Sequence, residues 1–183
     1  MISGSARVRR LRERADCGAV ALEFALILPL FLMLVFGVVT VGLAYNDKLS
    51  IANAVREAGR MGANTVYTQS APTVITPTQW ADSVQQRVQQ VYFNAGSTLS
   101  TSQICVKLID SSGGQLAAPT TQGSSCGTEP SAPATMAAGT CAVKVWVQKP
   151  ATIRLAVLPD ITVNIGARSV SYYGRAAGSC PGA

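Results

Sequence analysis

Apolar and polar positions follow three different periods along this chain, and each period predicts a different element. Residues 24–45, FALILPLFLMLVFGVVTVGLAY, form an uncharged run of 22 residues. A helix needs roughly 20 such residues to cross a hydrocarbon core of about 30 Å. The apolar part of a cleaved secretory signal is shorter, about 7–15 residues. A core helix of a small soluble domain would keep a polar face, and this run has none. It therefore reads as a membrane-spanning helix, with Pro29 removing one backbone donor inside it.

Beyond residue 45 the pattern becomes amphipathic. Leu49, Ala52, Val55, Ala58, Gly59 and Gly62 recur every three to four residues, separated by Asp47, Lys48, Asn53, Arg56, Glu57 and Arg60. The helix is thus expected to continue as a stalk to residue 64. From residue 19 to 64 it would measure about 69 Å at about 1.5 Å per residue. That is about twice the bilayer core, so its second half must project. The stripe of small apolar residues then needs cover, from the chain's own globular part or from another helix.

A second helix opens at Thr76-Pro77, with proline in its first turn, and stops at Asn94-Ala95-Gly96. Trp80, Val84, Val88, Val91 and Tyr92 give it one apolar face, and Gln85, Gln86, Gln89 and Gln90 read as a solvated one. Alternation predicts strands over 103–110, 141–148 and 161–173. In the second of these, Val143, Val145 and Val147 share one face, and Lys144, Trp146 and Gln148 share the other. Residues 151–158 are ambiguous between a strand and a packed connection. Between the first two strands, 24 of the 30 residues over 111–140 are Gly, Ser, Thr, Pro or Ala, so this stretch reads as a loop. The expected fold class is α+β: a long N-terminal transmembrane and stalk helix, then a small antiparallel sheet packed on helices. Three segments follow: a basic leader (1–18), the transmembrane and stalk helix (19–64) and an exported domain (65–183) containing the loop 111–140.

Charge refines this picture. The chain carries 15 Lys+Arg and 9 Asp+Glu, but Arg7, Arg9, Arg10, Arg12 and Arg14 all lie in the leader. Positive flanks stay cytoplasmic, so the N-terminus is expected inside and the domain outside. The remaining basic residues are dispersed, with no basic-aromatic run, which argues against nucleic acid. There is no histidine, which excludes Ser-His-Asp and Cys-His catalysis and histidine-ligated metals. Asp82, Asp110, Glu129 and Asp160 form no cluster in sequence. No enzyme, metal site or cofactor is expected.

Glu23 stands directly against the apolar run. A carboxylate at a membrane segment is costly unless paired, so it is a functional candidate. Together with Gly18, Phe24, Pro29, Phe36-Gly37, Tyr45 and the Asn-Ala-x-Arg-Glu-Ala-x-Arg stretch at 53–60, it makes residues 18–60 resemble the TadE-like family. These are minor pilins of the Tad (Flp, type IVc) pilus system. The resemblance covers about a quarter of the chain. It implies a substrate of prepilin peptidase, cut between Gly18 and Ala19 at the cytoplasmic face. Gly18 offers the peptidase no side chain to obstruct the scissile backbone. Cys17 would be lost with the leader. Glu23 would become the fifth mature residue, followed by Phe24, and could neutralise the new N-terminal ammonium of Ala19 or that of a neighbouring subunit. Implied partners are prepilin peptidase, other Tad major and minor pilins, and the Tad inner-membrane assembly platform. The implied location is the bacterial cytoplasmic membrane in a single pass, then the pilus or cell surface after assembly. The implied role is assembly, priming or tip of a pilus used in adhesion. The alternative is a membrane-anchored exported binding protein or adhesin that never enters a fibre.

Four cysteines remain after the leader: Cys105, Cys126, Cys141 and Cys180. In an exported segment they are expected to form disulfides. They lack any C-x-x-C pair, which argues against zinc. The expected pairing is Cys126–Cys141, closing a short loop, and Cys105–Cys180, pinning the tail. The other two pairings depend on the order of the strands.

Overall fold

The computed structural model describes residues 5–65, 75–119, 123–153 and 159–173; for 5–19 it describes the backbone only. Two compact units divide the chain: Met1–Gly42 with Ile153–Ile161, and Leu43–Thr152 with Thr162–Ala183. The elements in order are α1 (Ser5–Asn64), α2 (Pro77–Asn94), a short 3-10 turn (Thr101–Gln103), β1 (Ile104–Ile109), β2 (Gln115–Ala117), β3 (Ala142–Ile153) and β4 (Ile161–Tyr172). The class is α+β, as expected.

In the first unit, residues 20–42 of α1 form a largely exposed apolar helix. Val20, Leu22, Phe24, Leu26, Leu30, Leu34, Val38 and Val41 are all exposed, so apolar side chains emerge on every side. The helix is long and apolar enough to cross a membrane. Its described backbone reaches back to Ser5, and Pro29 lies inside it.

The second unit is a two-layer sandwich of helices on one face of a four-stranded antiparallel sheet, ordered β2-β1-β3-β4. β1 pairs with β3 from Ile104↔Val147 to Ile109↔Ala142. The core combines Ile51, Val55 and Ala58 of α1 with Trp80, Val84, Val88 and Tyr92 of α2. The sheet contributes Ile104, Val106, Leu108, Val143, Val145, Val147 and Ile165. The buried stripe of α1 is therefore Ile51, Ala54, Val55, Ala58, Gly59, Gly62 and Ala63, whereas Leu49 is exposed. The expected stripe differs at its start, where Ile51 and Ala54 are buried in place of Leu49 and Ala52; Leu49 and Ile51 lie on nearly opposite sides of the helix, and docking decides which side is covered. The chain's own domain covers this stripe. A Cβ on Gly62 would stand 2.8 Å from a Val84 methyl and 3.2 Å from the Trp80 ring, while one on Gly59 would meet the hydroxyls of Ser169 and Ser171. The Trp80 indole donates to the Gly62 carbonyl at 3.1 Å, which satisfies a buried polar group and fixes the α1–α2 contact.

α2 starts as expected. Thr76 accepts from the Gln79 amide and its own amide donates to the Gln79 side chain, a reciprocal capping box ahead of Pro77. The chain turns at Gly96, whose φ of 85° only glycine adopts without strain. The glutamine face is corrected in part, since Gln86 and Gln90 are exposed as expected but Gln85 and Gln89 are not. Gln85 is buried and donates to the carbonyls of Thr101 and Ile104, and Gln89 donates to that of Leu99. These amides satisfy the irregular segment before β1, which would otherwise bury unpaired carbonyls.

The loop 111–140 also differs from expectation, since residues Gln115–Ala117 add a short strand to β1. The turn between them is organised by Asp110. Its carboxylate accepts from the amides of Ser112 and Gly114 and the Ser112 hydroxyl. The Ser112 hydroxyl bond, then the Gly114 amide, hold this acid below its ordinary value. Residues 151–153 extend β3, and 154–158 lie outside the described residues.

The disulfide pairing is corrected as well. Cys105 is bonded to Cys126, with Cα atoms 5.8 Å apart, which replaces both Cys126–Cys141 and Cys105–Cys180. The reason is the side from which the loop returns. Cys105 lies opposite Trp146 on the sheet face away from the helices, and the loop lays Cys126 over that face. Cys141 is held in a disulfide too, and Cys180 lies outside the described residues.

Two outcomes are expected. Non-reducing peptide mapping should recover Cys105 linked to Cys126. A Cys126–Cys141 peptide would refute this arrangement. Trp80→Ala should destabilise the domain by about 3–5 kcal/mol, read as a lowered melting temperature of the detergent-solubilised chain. An unchanged melt would show that Trp80 does not anchor the core.

Candidate functional site

Three groups of residues carry chemistry. The first is the start of the apolar helix. Gly18, Ala19, Glu23 and Phe24 all lie within α1, so Ala19 and Glu23, four apart, share one helix face. Glu23 and Phe24 are both exposed. Among the described residues, Glu23 has no hydrogen-bond or ion-pair partner. An acid beside an uncovered apolar surface of this length has two chemical options. It can sit in the headgroup layer, or it can pair with a cation brought by the same or another chain.

The second group lies just after the apolar run. Asp47 of α1 accepts a short hydrogen bond from the Tyr92 hydroxyl of α2. Lys149 of β3 reaches Asp47 Oδ2 at 3.2 Å and the Tyr92 oxygen at 2.8 Å. Burial, then the Asp47 bond, pushes the Tyr92 hydroxyl above its ordinary value. Burial works against the Lys149 ammonium, but its bonds to Tyr92 and Asp47 prevail and raise it. The acid, phenol and amine thus tie α1, α2 and β3 together where the stalk begins. Sequence reading missed this group. Asp47 and Lys48 look like a cancelling pair, and the real partners stand 45 and 102 residues away.

The third group is on the outer sheet face. Lys107 and Lys144 are directly opposite across β1 and β3, which alone is unfavourable. Glu129 bridges them, at 2.6 Å to Lys107 and 2.9 Å to Lys144. The Lys107 bond is the main reason the Glu129 carboxyl lies below its usual range; burial opposes it and Lys144 reinforces it. Trp146 donates to the Gly127 carbonyl at 3.3 Å beside the Cys105–Cys126 bond. Three successive ties therefore fasten loop residues 126–129 to the sheet. Among the described residues, no group of three or more His, Cys, Asp or Glu could hold a metal ion.

The comparisons with known proteins bear on the first of these groups. Residues 18–60 match the sequence model of the family described as TadE-like protein. No curated protein and no solved structure matches the chain. The match contains Gly18, Ala19, Glu23 and Phe24, the uncovered apolar helix and the buried stripe up to Gly59. Over residues 18–60 the chain is thus TadE-like, consistent with a component of the Tad pilus system.

Proposed function

We propose that this protein is a minor pilin or pseudopilin, processed by prepilin peptidase after Gly18, that takes part in assembly, priming or the tip of a Tad (type IVc) pilus used in adhesion. The observation that carries this reading is Glu23. It lies inside the TadE-like match, exposed at the head of a membrane-length helix and without a partner among the described residues. Cleavage between Gly18 and Ala19 would create an ammonium four residues before it. In a low-dielectric setting such a charge pair is far stronger than in water. An intramolecular pair would hold the free subunit in the bilayer. An intermolecular pair would set the axial position of one helix against its neighbour. The leader arginines would keep the scissile bond at the cytoplasmic surface, and the exported domain would face outward.

Because the domain covers the stripe of α1 from Ile51 to Ala63 itself, helix–helix packing in a fibre would fall to the uncovered run before it. The partners under this reading are prepilin peptidase, other Tad pilins and the inner-membrane assembly platform. A membrane-anchored binding protein outside any fibre would need the same helix but no cleavage.

Intact mass spectrometry of protein from cells with active prepilin peptidase should give a chain beginning at Ala19. Recovery of the uncut leader would defeat the pilin reading. Glu23→Ala should leave cleavage intact and strongly reduce recovery in the sheared-pilus fraction, with the variant accumulating in the membrane. Equal incorporation of Glu23→Ala and the unmodified chain would show that the carboxylate has no part in assembly.

A further inference from the structure

On the sheet face away from the helices, loop residues 126–128 together with β3 and β4 line an open cavity of about 340 Å³. That volume falls within the usual range for small-ligand sites. Its walls come from the loop (Cys126, Gly127, Thr128), from β3 (Trp146, Gln148) and from β4 (Asn164, Gly166, Arg168). Its floor exists for a backbone reason: a Cβ on Gly166 would stand 2.7 Å from the Val147 carbonyl, so no side chain fills the space above this strand. Its loop wall is fixed by the Cys105–Cys126 bond, the Trp146–Gly127 hydrogen bond and the Glu129 bridge to Lys107 and Lys144.

The polar groups around it are uncommitted. Among the described residues, the side chains of Thr128, Gln148, Asn164 and Arg168 have no hydrogen-bond or ion-pair partner. Glu129 bridges the two lysines of the outer face, whereas Arg168 has no carboxylate partner among the described residues. A guanidinium fork suits a planar carboxylate in two parallel hydrogen bonds. Two amides and a hydroxyl beside it suit a ligand rich in hydroxyl groups rather than an apolar one.

We propose that this cavity is a binding site for a sugar acid, a pyranose bearing a carboxylate. Arg168 takes the carboxylate, and Gln148, Asn164 and Thr128 take ring hydroxyls. This goes beyond a role in pilus assembly and does not depend on it, because the site belongs to the exported domain whether or not the chain enters a fibre.

The test is calorimetric titration of the full chain in detergent micelles with sodium D-glucuronate, beside D-glucose and sodium acetate. Saturable binding of glucuronate is expected, with both controls at least about tenfold weaker, the scale of losing one charge-assisted hydrogen bond. Arg168→Ala should weaken glucuronate binding by about tenfold or more, and Arg168→Lys should restore part of it. Asn164→Ala should weaken it less. Arg168 and Asn164 are both exposed, so melting curves should match the parent. Absence of saturable glucuronate binding would overturn the proposal. So would equal binding of acetate, which marks a simple anion site, or an affinity unchanged in both Arg168→Ala and Asn164→Ala.

Discussion

The close approach of α1 to α2 and to β4 governs the packing of the α+β domain. Gly62 lets the Trp80 ring and Val84 rest against the helix backbone, and Gly59 does the same for Ser169 and Ser171. A larger side chain at either position would push the layers apart and open the core around Trp80, Val84 and Val143. Small residues on a membrane-proximal helix invite a reading as an intermolecular interface. Here they serve the interior of the chain's own domain, because its sheet and second helix reach them first.

Two polar groups extend that control. Asp47, Tyr92 and Lys149 join α1, α2 and β3 at the start of the stalk. None of the three would be stable there alone, since burial penalises a lone charge and a lone hydroxyl alike. Together they satisfy one another and set the level at which the domain begins along the helix. On the opposite sheet face, Glu129 converts an unfavourable lysine pair into a bridge. That bridge and the Cys105–Cys126 bond turn a Gly/Ser/Pro-rich loop into one wall of a cavity. Composition that disfavours regular structure does not prevent order when a covalent bond and a charge network hold the segment at successive positions.

The division of labour along α1 follows from what each part of its surface meets. Residues 24–45 are mostly exposed and carry almost no polar side chains, which suits lipid or other apolar helices. Residues 51–63 alternate buried and exposed faces, which suits a water-facing stalk under a domain. Glu23 stands at the N-terminal end of the apolar run, inside the segment that matches the TadE-like family.

Local pattern was enough for the long helix, the ends of α2 and three of the four strands, because each rests on residues close in sequence. Thr76, Pro77, Gln79 and Gly96 interact within a few positions, and the uncharged run is itself the signal for a membrane-length helix. The likeness of residues 18–60 was legible for the same reason, being a compact string of residue types. Tertiary structure alone decided the rest. Whether Leu49 or Ile51 faces inward depends on which side of α1 the sheet docks. Gln85 is buried because the segment before β1 passes over it. Cys105 meets Cys126 because the loop returns across the outer sheet face, a path that spacing does not encode. The Asp47–Tyr92–Lys149 group and the cavity beside Arg168 join residues far apart in sequence, and only the packed sheet brings them together.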